Sequence, residues 1–181
     1  AGLYGGRKLQ VPKGRDIRPT SDKVRGAIFN TLGSIIRLDG VRVLDAFCGT
    51  GALGIEAISR GAAHCVFVDK ARVSLDLARE NVSVLGIEGQ ADFKVGDACK
   101  VHFKGGDPFD LVFLDPPYKQ DMIVPVLEKL VEEEILSDQA VCVLEAEKNA
   151  VLDLPRQFEL LKDKQYGDTL VCYARYKKSV V

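Results

Sequence analysis

The sequence predicts an α/β fold: a doubly wound, mostly parallel seven-stranded sheet, Rossmann-like, with an antiparallel C-terminal hairpin strand. Three observations predict it. Short apolar runs recur without alternation, which is how strands buried on both faces read. Segments of helical period separate most of these runs, as parallel pairing requires. Near the C-terminus two β-rich runs are joined only by Gly167-Asp168 and its flanks, a hairpin signal. No repeat, low-complexity tract or interdomain linker interrupts the pattern, so 1–181 is read as one domain.

The elements follow in order. Residues 1–20 are rich in Gly, Lys, Arg and Pro, lack an apolar period, and read as a basic extended arm. Thr20 or Ser21 can cap a helix, with Asp22 in its first turn. Val24, Ala27, Ile28 and Thr31 form one stripe, so a helix is predicted over 21–36, followed by an α/β core over 41–181. A strand runs from Val41 to Phe47. A helix from about Ala52 to Arg60 is closed by Gly61. The next strand spans Cys65 to Val68 and ends at Asp69. Ala71, Leu75, Ala78, Val82 and Leu85 mark a helix that Gly86 ends. Strands follow at 91–95 and 109–114, separated by a polar connection over 99–108. A helix is predicted over 121–136, its Glu132-Glu133-Glu134 run including a solvated face. Strands at 140–144, 158–165 and 169–176 complete the set.

Composition narrows the class. Of 181 residues, 46% are hydrophobic and 28% charged, an ordinary globular profile. The net charge of −1 excludes a general polyanion binder. Yet residues 1–30 hold seven Lys/Arg against two Asp, a net of +5, which leaves −6 for the rest. A basic arm on an acidic body suits docking to a phosphate backbone; the plainer reading is a solvated terminus. The five cysteines are scattered with no Cys-x-x-Cys, so they read as small core residues in a reducing compartment. Two histidines without neighbouring ligands give no metal site. No run has membrane-spanning length and no signal peptide is evident, so a cytoplasmic protein is expected.

The most informative stretch is Phe109–Tyr118. An apolar strand stops at Asp115-Pro116-Pro117-Tyr118. Two prolines lock φ and remove two donors, which makes a stiff corner at a strand's carboxyl end. The corner offers a carboxylate, carbonyls that no prolyl N–H can pair with, and an aromatic face. Open α/β sheets bind ligands at that edge. A rigid acceptor pair beside a ring suits a planar base with an exocyclic amine.

A second constellation lies earlier. Gly49, Gly51 and Gly54 spell G-x-G-x-x-G after a strand, and Asp69 lies twenty residues beyond Gly49. This is also the dinucleotide fingerprint. Asp45 shifts the choice, because a carboxylate so near a pyrophosphate would repel it but would suit a positive amine or sulfonium. Asp97, at the end of the third strand, is placed to accept from an adenine amine. S-adenosylmethionine fits all three acids: Asp45 on its methionine side, Asp69 at the ribose, Asp97 at the adenine. Taken singly, each acid reads equally as a turn or cap residue.

The chain resembles the class I S-adenosylmethionine-dependent methyltransferases. Asp45-Ala-Phe-Cys-Gly-Thr-Gly is similar to their first motif, and Asp115-Pro-Pro-Tyr118 to the fourth motif of those that methylate base amines. Gly5-Gly6-Arg7-Lys8-Leu9, Arg18-Pro19-Thr20-Ser21-Asp22-Lys23-Val24-Arg25 and Phe29-Asn30 resemble the N-terminal signature of the bacterial 16S rRNA guanine-N2 methyltransferases, the RsmD family. The resemblance implies one methyltransferase domain that moves a methyl group from S-adenosylmethionine to guanine N2 of 16S rRNA. It implies catalysis by Asp115, Pro116, Pro117 and Tyr118. It places the cofactor on Asp45, Phe47, Gly49, Thr50, Gly51, Asp69, Lys70, Asp97 and Ala98, and rRNA on Arg7, Lys8, Arg18, Thr20 and Arg25. The expected substrate is rRNA within a partly assembled small subunit, acted on by a monomer without a metal. Adenine-N6 methylation of DNA or RNA uses the same corner and stays open, as does a non-catalytic NAD-binding regulator.

Overall fold

A computed structural model describes residues 2–9, 21–117 and 121–178 of the chain. Its strands are β1 (Arg42–Asp45), β2 (His64–Asp69), β3 (Ala91–Val95), β4 (Phe109–Leu114), β5 (Leu136–Glu147), β6 (Phe158–Tyr166) and β7 (Thr169–Tyr176). Its helices are α1 (Asp22–Leu32), α2 (Ala52–Ser59), α3 (Arg72–Leu85) and α4 (Ile123–Glu132). The strands form one sheet in the order β3-β2-β1-β4-β5-β7-β6. The first five are parallel, and β7 runs antiparallel between β5 and β6. Strand order reverses between β1 and β4, and the crevice outside their carboxyl ends is where such sheets hold ligands.

Alternation along each strand sorts the core into two layers. Val43, Phe67, Leu111, Phe113, Val143 and Tyr173 pack beneath α1, α2 and α3. Leu44, Val66, Val112, Leu114, Cys142 and Leu144 pack beneath α4. In β4 five of six residues are buried, each contributing about 1.5–3 kcal/mol at full burial. The sixth, Asp110, accepts from Arg42 N at 2.9 Å and from Ser137 Oγ at 2.7 Å. One carboxylate thus links β1, β4 and β5 at the amino edge of the sheet.

Several boundaries differ from expectation. Ser21 caps α1 through Val24 N, but the helix stops at Leu32 rather than residue 36. Gly33 and Ser34 are weak helix formers, and the Ile35 carbonyl is taken by Arg175 at 3.0 Å. α4 covers 123–132 rather than 121–136. Beyond Glu132 the chain turns away, and Ile135 O already accepts from Phe109 N at 2.8 Å as it enters β5. β1 is shorter than predicted and ends at Asp45, although Ala46 N still donates to Phe113 O of β4 and Cys48 N to Val68 O of β2. Residues 2–7 are not extended. Gly5 N and Arg7 N close turns on Gly2 O and Tyr4 O, and Leu3 N and Tyr4 N bind Ser59 at the end of α2. Glu133 lies between exposed Glu132 and Glu134, yet it faces inward, holding Lys129 at 3.2 Å and His102 at 2.7 Å. Among the described residues no helix is long and apolar enough to cross a membrane.

Candidate active site

The glycine loop carries the chain from β1 into α2. Gly49 and Gly51 take φ of 53° and 83°, a region that costs other residues strain. A Cβ on Gly54 would lie 2.5 Å from Phe67 Cε1 and 2.7 Å from Cys65 Sγ, so only glycine lets α2 pack this closely on β2. Thr50 is buried, and its carbonyl accepts from Asn81 Nδ2 of α3 at 3.0 Å. The loop is therefore fixed from two sides before any ligand arrives.

Carboxylates end four neighbouring strands. Asp69 accepts from Gly49 N at 2.9 Å and Ala71 N at 2.8 Å, tying the loop to the end of β2. Asp97 Oδ1 accepts from Cys99 N at 2.9 Å, and Gly96 N donates to Asp69 O at 3.0 Å. Both acids keep partial access to solvent. Asp45 differs: it is 2% exposed, and its Oδ2 accepts from Gly54 N at 3.1 Å. Burial pushes its carboxyl up to about 7, the Gly54 bond opposes this, and the charges of Asp115 and Asp69 add to it. Asp115 and Pro116 are half-buried and Pro117 is exposed.

A fifth acid was not anticipated. Glu145 follows five buried residues of β5, is itself 5% exposed, and hydrogen-bonds Asp115. Leu114 pairs with Leu144, so Asp115 and Glu145 lie level, one step beyond that pair and on the layer that α1 covers. Burial, then Asp115, then Asp45 hold the Glu145 carboxyl well above the usual carboxylate range. The sequence shows only a carboxylate following an apolar run, as at Asp45, Asp69 and Asp115; the partner that gives it meaning is not visible there.

The structure brings the 45–54 loop, Asp69, Asp97 and the 115–117 corner to one edge of the sheet. Phe47 and Ala98 pack toward the α4 layer, and Lys70 is exposed. Arg7 and Lys8 are exposed, but their segment is anchored at Ser59, about 12 Å of helix from the glycine loop. Arg25 is three-quarters buried and pairs with Asp22 at 2.8 Å. Tyr118, Arg18 and Thr20 lie outside the described residues. Among the described residues no group of three His, Cys, Asp or Glu is placed to hold a metal.

Comparison with known proteins places the chain in a family. The family model described as conserved hypothetical protein 95 matches residues 1–175. The chain belongs to this family. Ribosomal RNA small subunit methyltransferase D of Escherichia coli (strain K12) is 33% identical over 178 residues, covering 98% of this chain and 87% of its own. The YlbH protein of Bacillus subtilis (strain 168) is 36% identical over 184 residues, covering 98% and 97%. A solved structure of the yhhF protein from Escherichia coli superposes with a TM-score of 0.88 at 29% identity, covering 99% of this chain and 97% of that one. Conserved hypothetical protein 95 is thus the RsmD family of class I methyltransferases, and this member is a methyltransferase with their Rossmann-like fold.

Proposed function

We propose that the chain transfers a methyl group from S-adenosylmethionine to the exocyclic N2 amine of a guanine in small-subunit rRNA. The observation that carries this reading is the Asp115-Pro116-Pro117 corner opening beside the glycine loop, in a chain of this family. The donor set fits the cofactor. Asp45, Asp69 and Asp97 ring the loop, an arrangement hostile to a pyrophosphate and suited to a sulfonium, an amine and ribose hydroxyls. Bound there, S-adenosylmethionine supplies an electrophilic methyl group.

The remaining work falls to the chain. Asp45 faces the methionine end, Asp69 the ribose and Asp97 the adenine, with Phe47, Gly49, Thr50, Gly51, Lys70 and Ala98 completing the cradle. The guanine amine is a weak nucleophile because its lone pair is delocalised into the ring. Asp115 and the Pro116 carbonyl accept its two N–H bonds and favour a pyramidal nitrogen aimed at the methyl. Alignment of this kind supplies several kcal/mol of barrier reduction. Pro117 stiffens the corner, and Tyr118 stacks on a base that is unpaired or flipped out. Arg7, Lys8, Arg18, Thr20 and Arg25 hold the RNA backbone. A cytoplasmic monomer acting on a partly assembled subunit completes the reading.

The test is methyl transfer from labelled cofactor to 16S rRNA and to small subunits, with nucleosides identified by mass spectrometry. N2-methylguanosine is the expected product. Asp115→Ala should abolish its formation while S-adenosylhomocysteine binding persists. N6-methyladenosine as the product, or normal turnover by Asp115→Ala, overturns the reading.

A further inference from the structure

We propose that Glu145 is a positioning residue that donates its carboxyl proton to Asp115, leaving one anionic Asp115 oxygen to face the substrate amine. The inference rests on the role given to Asp115 above. Its grounds are geometric. Glu145 is level with Asp115 on adjacent parallel strands, points to the same layer, and is 5% exposed. It hydrogen-bonds Asp115 through its side chain. Two carboxyl groups hydrogen-bond only if one keeps its proton. Every group acting on Glu145 favours its being that one. Asp115 faces it from β4 and Asp45 from β1, both as negative charge, and Tyr173 of β7 lies on its other side as a neutral phenol. Among the described residues no cation opposes them.

A buried neutral acid here solves two problems. The Glu145 hydrogen bond restricts rotation of the Asp115 carboxylate about its last torsion. With one oxygen held by the Glu145 hydroxyl, the carboxylate plane is set, and the other oxygen points where the amine must lie. The pair also has room for one proton. When the N–CH3 bond forms and the S–CH3 bond breaks, the sulfur keeps the electron pair. The amine then carries a surplus proton, which Asp115 accepts while Glu145 retains its own. The pair passes from one negative charge to none, then releases that proton to solvent.

Glu145→Gln preserves the donor to Asp115 without the ionisation, and Glu145→Ala removes both. In the full chain, Glu145→Gln should keep turnover within a few-fold and lose any fall in kcat with rising pH that Glu145 ionisation would cause. Glu145→Ala should lower kcat by about 10²-fold, the cost of a misplaced reacting group, with KM for RNA and S-adenosylhomocysteine affinity unchanged. Infrared difference spectra of wild type against Glu145→Gln should reveal a protonated carboxyl band at a pH where exposed carboxyl groups have ionised, independent of turnover. Equal losses in both variants with an unmoved pH limb, or the absence of that band, overturn the proposal. If Glu145→Ala does not fold, the pH limb and the band of Glu145→Gln decide alone. Activity in Glu145→Ala with none in Asp115→Ala removes only Glu145. Activity in Asp115→Ala removes the role of Asp115 and Glu145 together, while the band still reports the proton.

Discussion

The acids at the ends of β2 and β3 and those at the ends of β1 and β4 and within β5 share one edge of one sheet, yet they meet water differently. Asp69 and Asp97 reach backbone N–H groups and keep partial contact with water. Asp45, Asp115 and Glu145 crowd one another, and Asp45 and Glu145 are nearly sealed from solvent. The first set makes structure: it closes turns and fixes the glycine loop. The second set stores electrostatic tension in a place that a cationic cofactor would relieve. One side of the crevice is therefore stable alone, and the other is stabilised by what binds.

The largest expected effect breaks this comparison at Asp45. Its folded carboxyl sits at about 7 against 3.8 when unfolded. The folded state therefore holds a proton between these values that the unfolded state has lost. That contribution is fully present below about 3.8 and is lost as pH rises through about 7. The slope is about 1.4 kcal/mol per pH unit. Asp45→Asn keeps an acceptor for Gly54 N and cannot ionise. Urea unfolding of the free protein should find it about 2–4 kcal/mol more stable than wild type at and above neutral pH. At low pH the two should be equal. An unchanged difference across pH would show that Asp45 carries no such tension.

A substitution on the other side should act with the opposite sign. Asp69→Ala strands two N–H groups, at Gly49 and Ala71. It should cost about 1–3 kcal/mol of stability at neutral pH and weaken S-adenosylmethionine binding as well. Denaturant curves and calorimetry on one variant read both. Stability equal to wild type would put Asp69 with the acids that the fold merely tolerates.

The smallest effect concerns the basic arm. Reversing Arg7 and Lys8 to Glu should flatten the salt dependence of RNA binding by roughly 1.5 in log–log slope. Cofactor affinity and melting temperature should not move, because both side chains are exposed and anchored away from the crevice. Filter binding across a salt series checks this; an unaltered slope places the RNA elsewhere.

Local rules made most of the fold legible. Gly86 in the left-handed region ends α3 where the glycine stood, and β3 and β4 span the residues predicted for them. Expectation went astray where tertiary contacts outrank local pattern. Ile35 and Ile36 continue a helical period, yet a partner 140 residues away takes the Ile35 carbonyl. Nothing local predicts that. In the site, the acids that begin turns were legible because turn chemistry is local. Glu145 was not, because its meaning comes from Asp115 on the neighbouring strand, and that adjacency exists only after the sheet forms. The inward turn of Glu133 has the same cause, since its partner His102 lies across a loop.

Asp110 sits at the other end of β4 from the corner that would carry the chemistry, and its two bonds to Arg42 and Ser137 have a consequence for how errors are caught. A strand that slips by one residue against its neighbours turns every side chain to the opposite layer. For β4, apolar on both faces, such a slip would be nearly silent in hydrophobic terms: a compact chain would result, with Asp115 delivered to the wrong side. The Asp110 carboxylate removes that silence. In a slipped register it would lose both donors and be left facing hydrocarbon. The misassembled form is then less stable than the native one and open to proofreading by the cell. Asp110 would thus act as an address check, performed once per molecule during folding, on the strand that places Asp115.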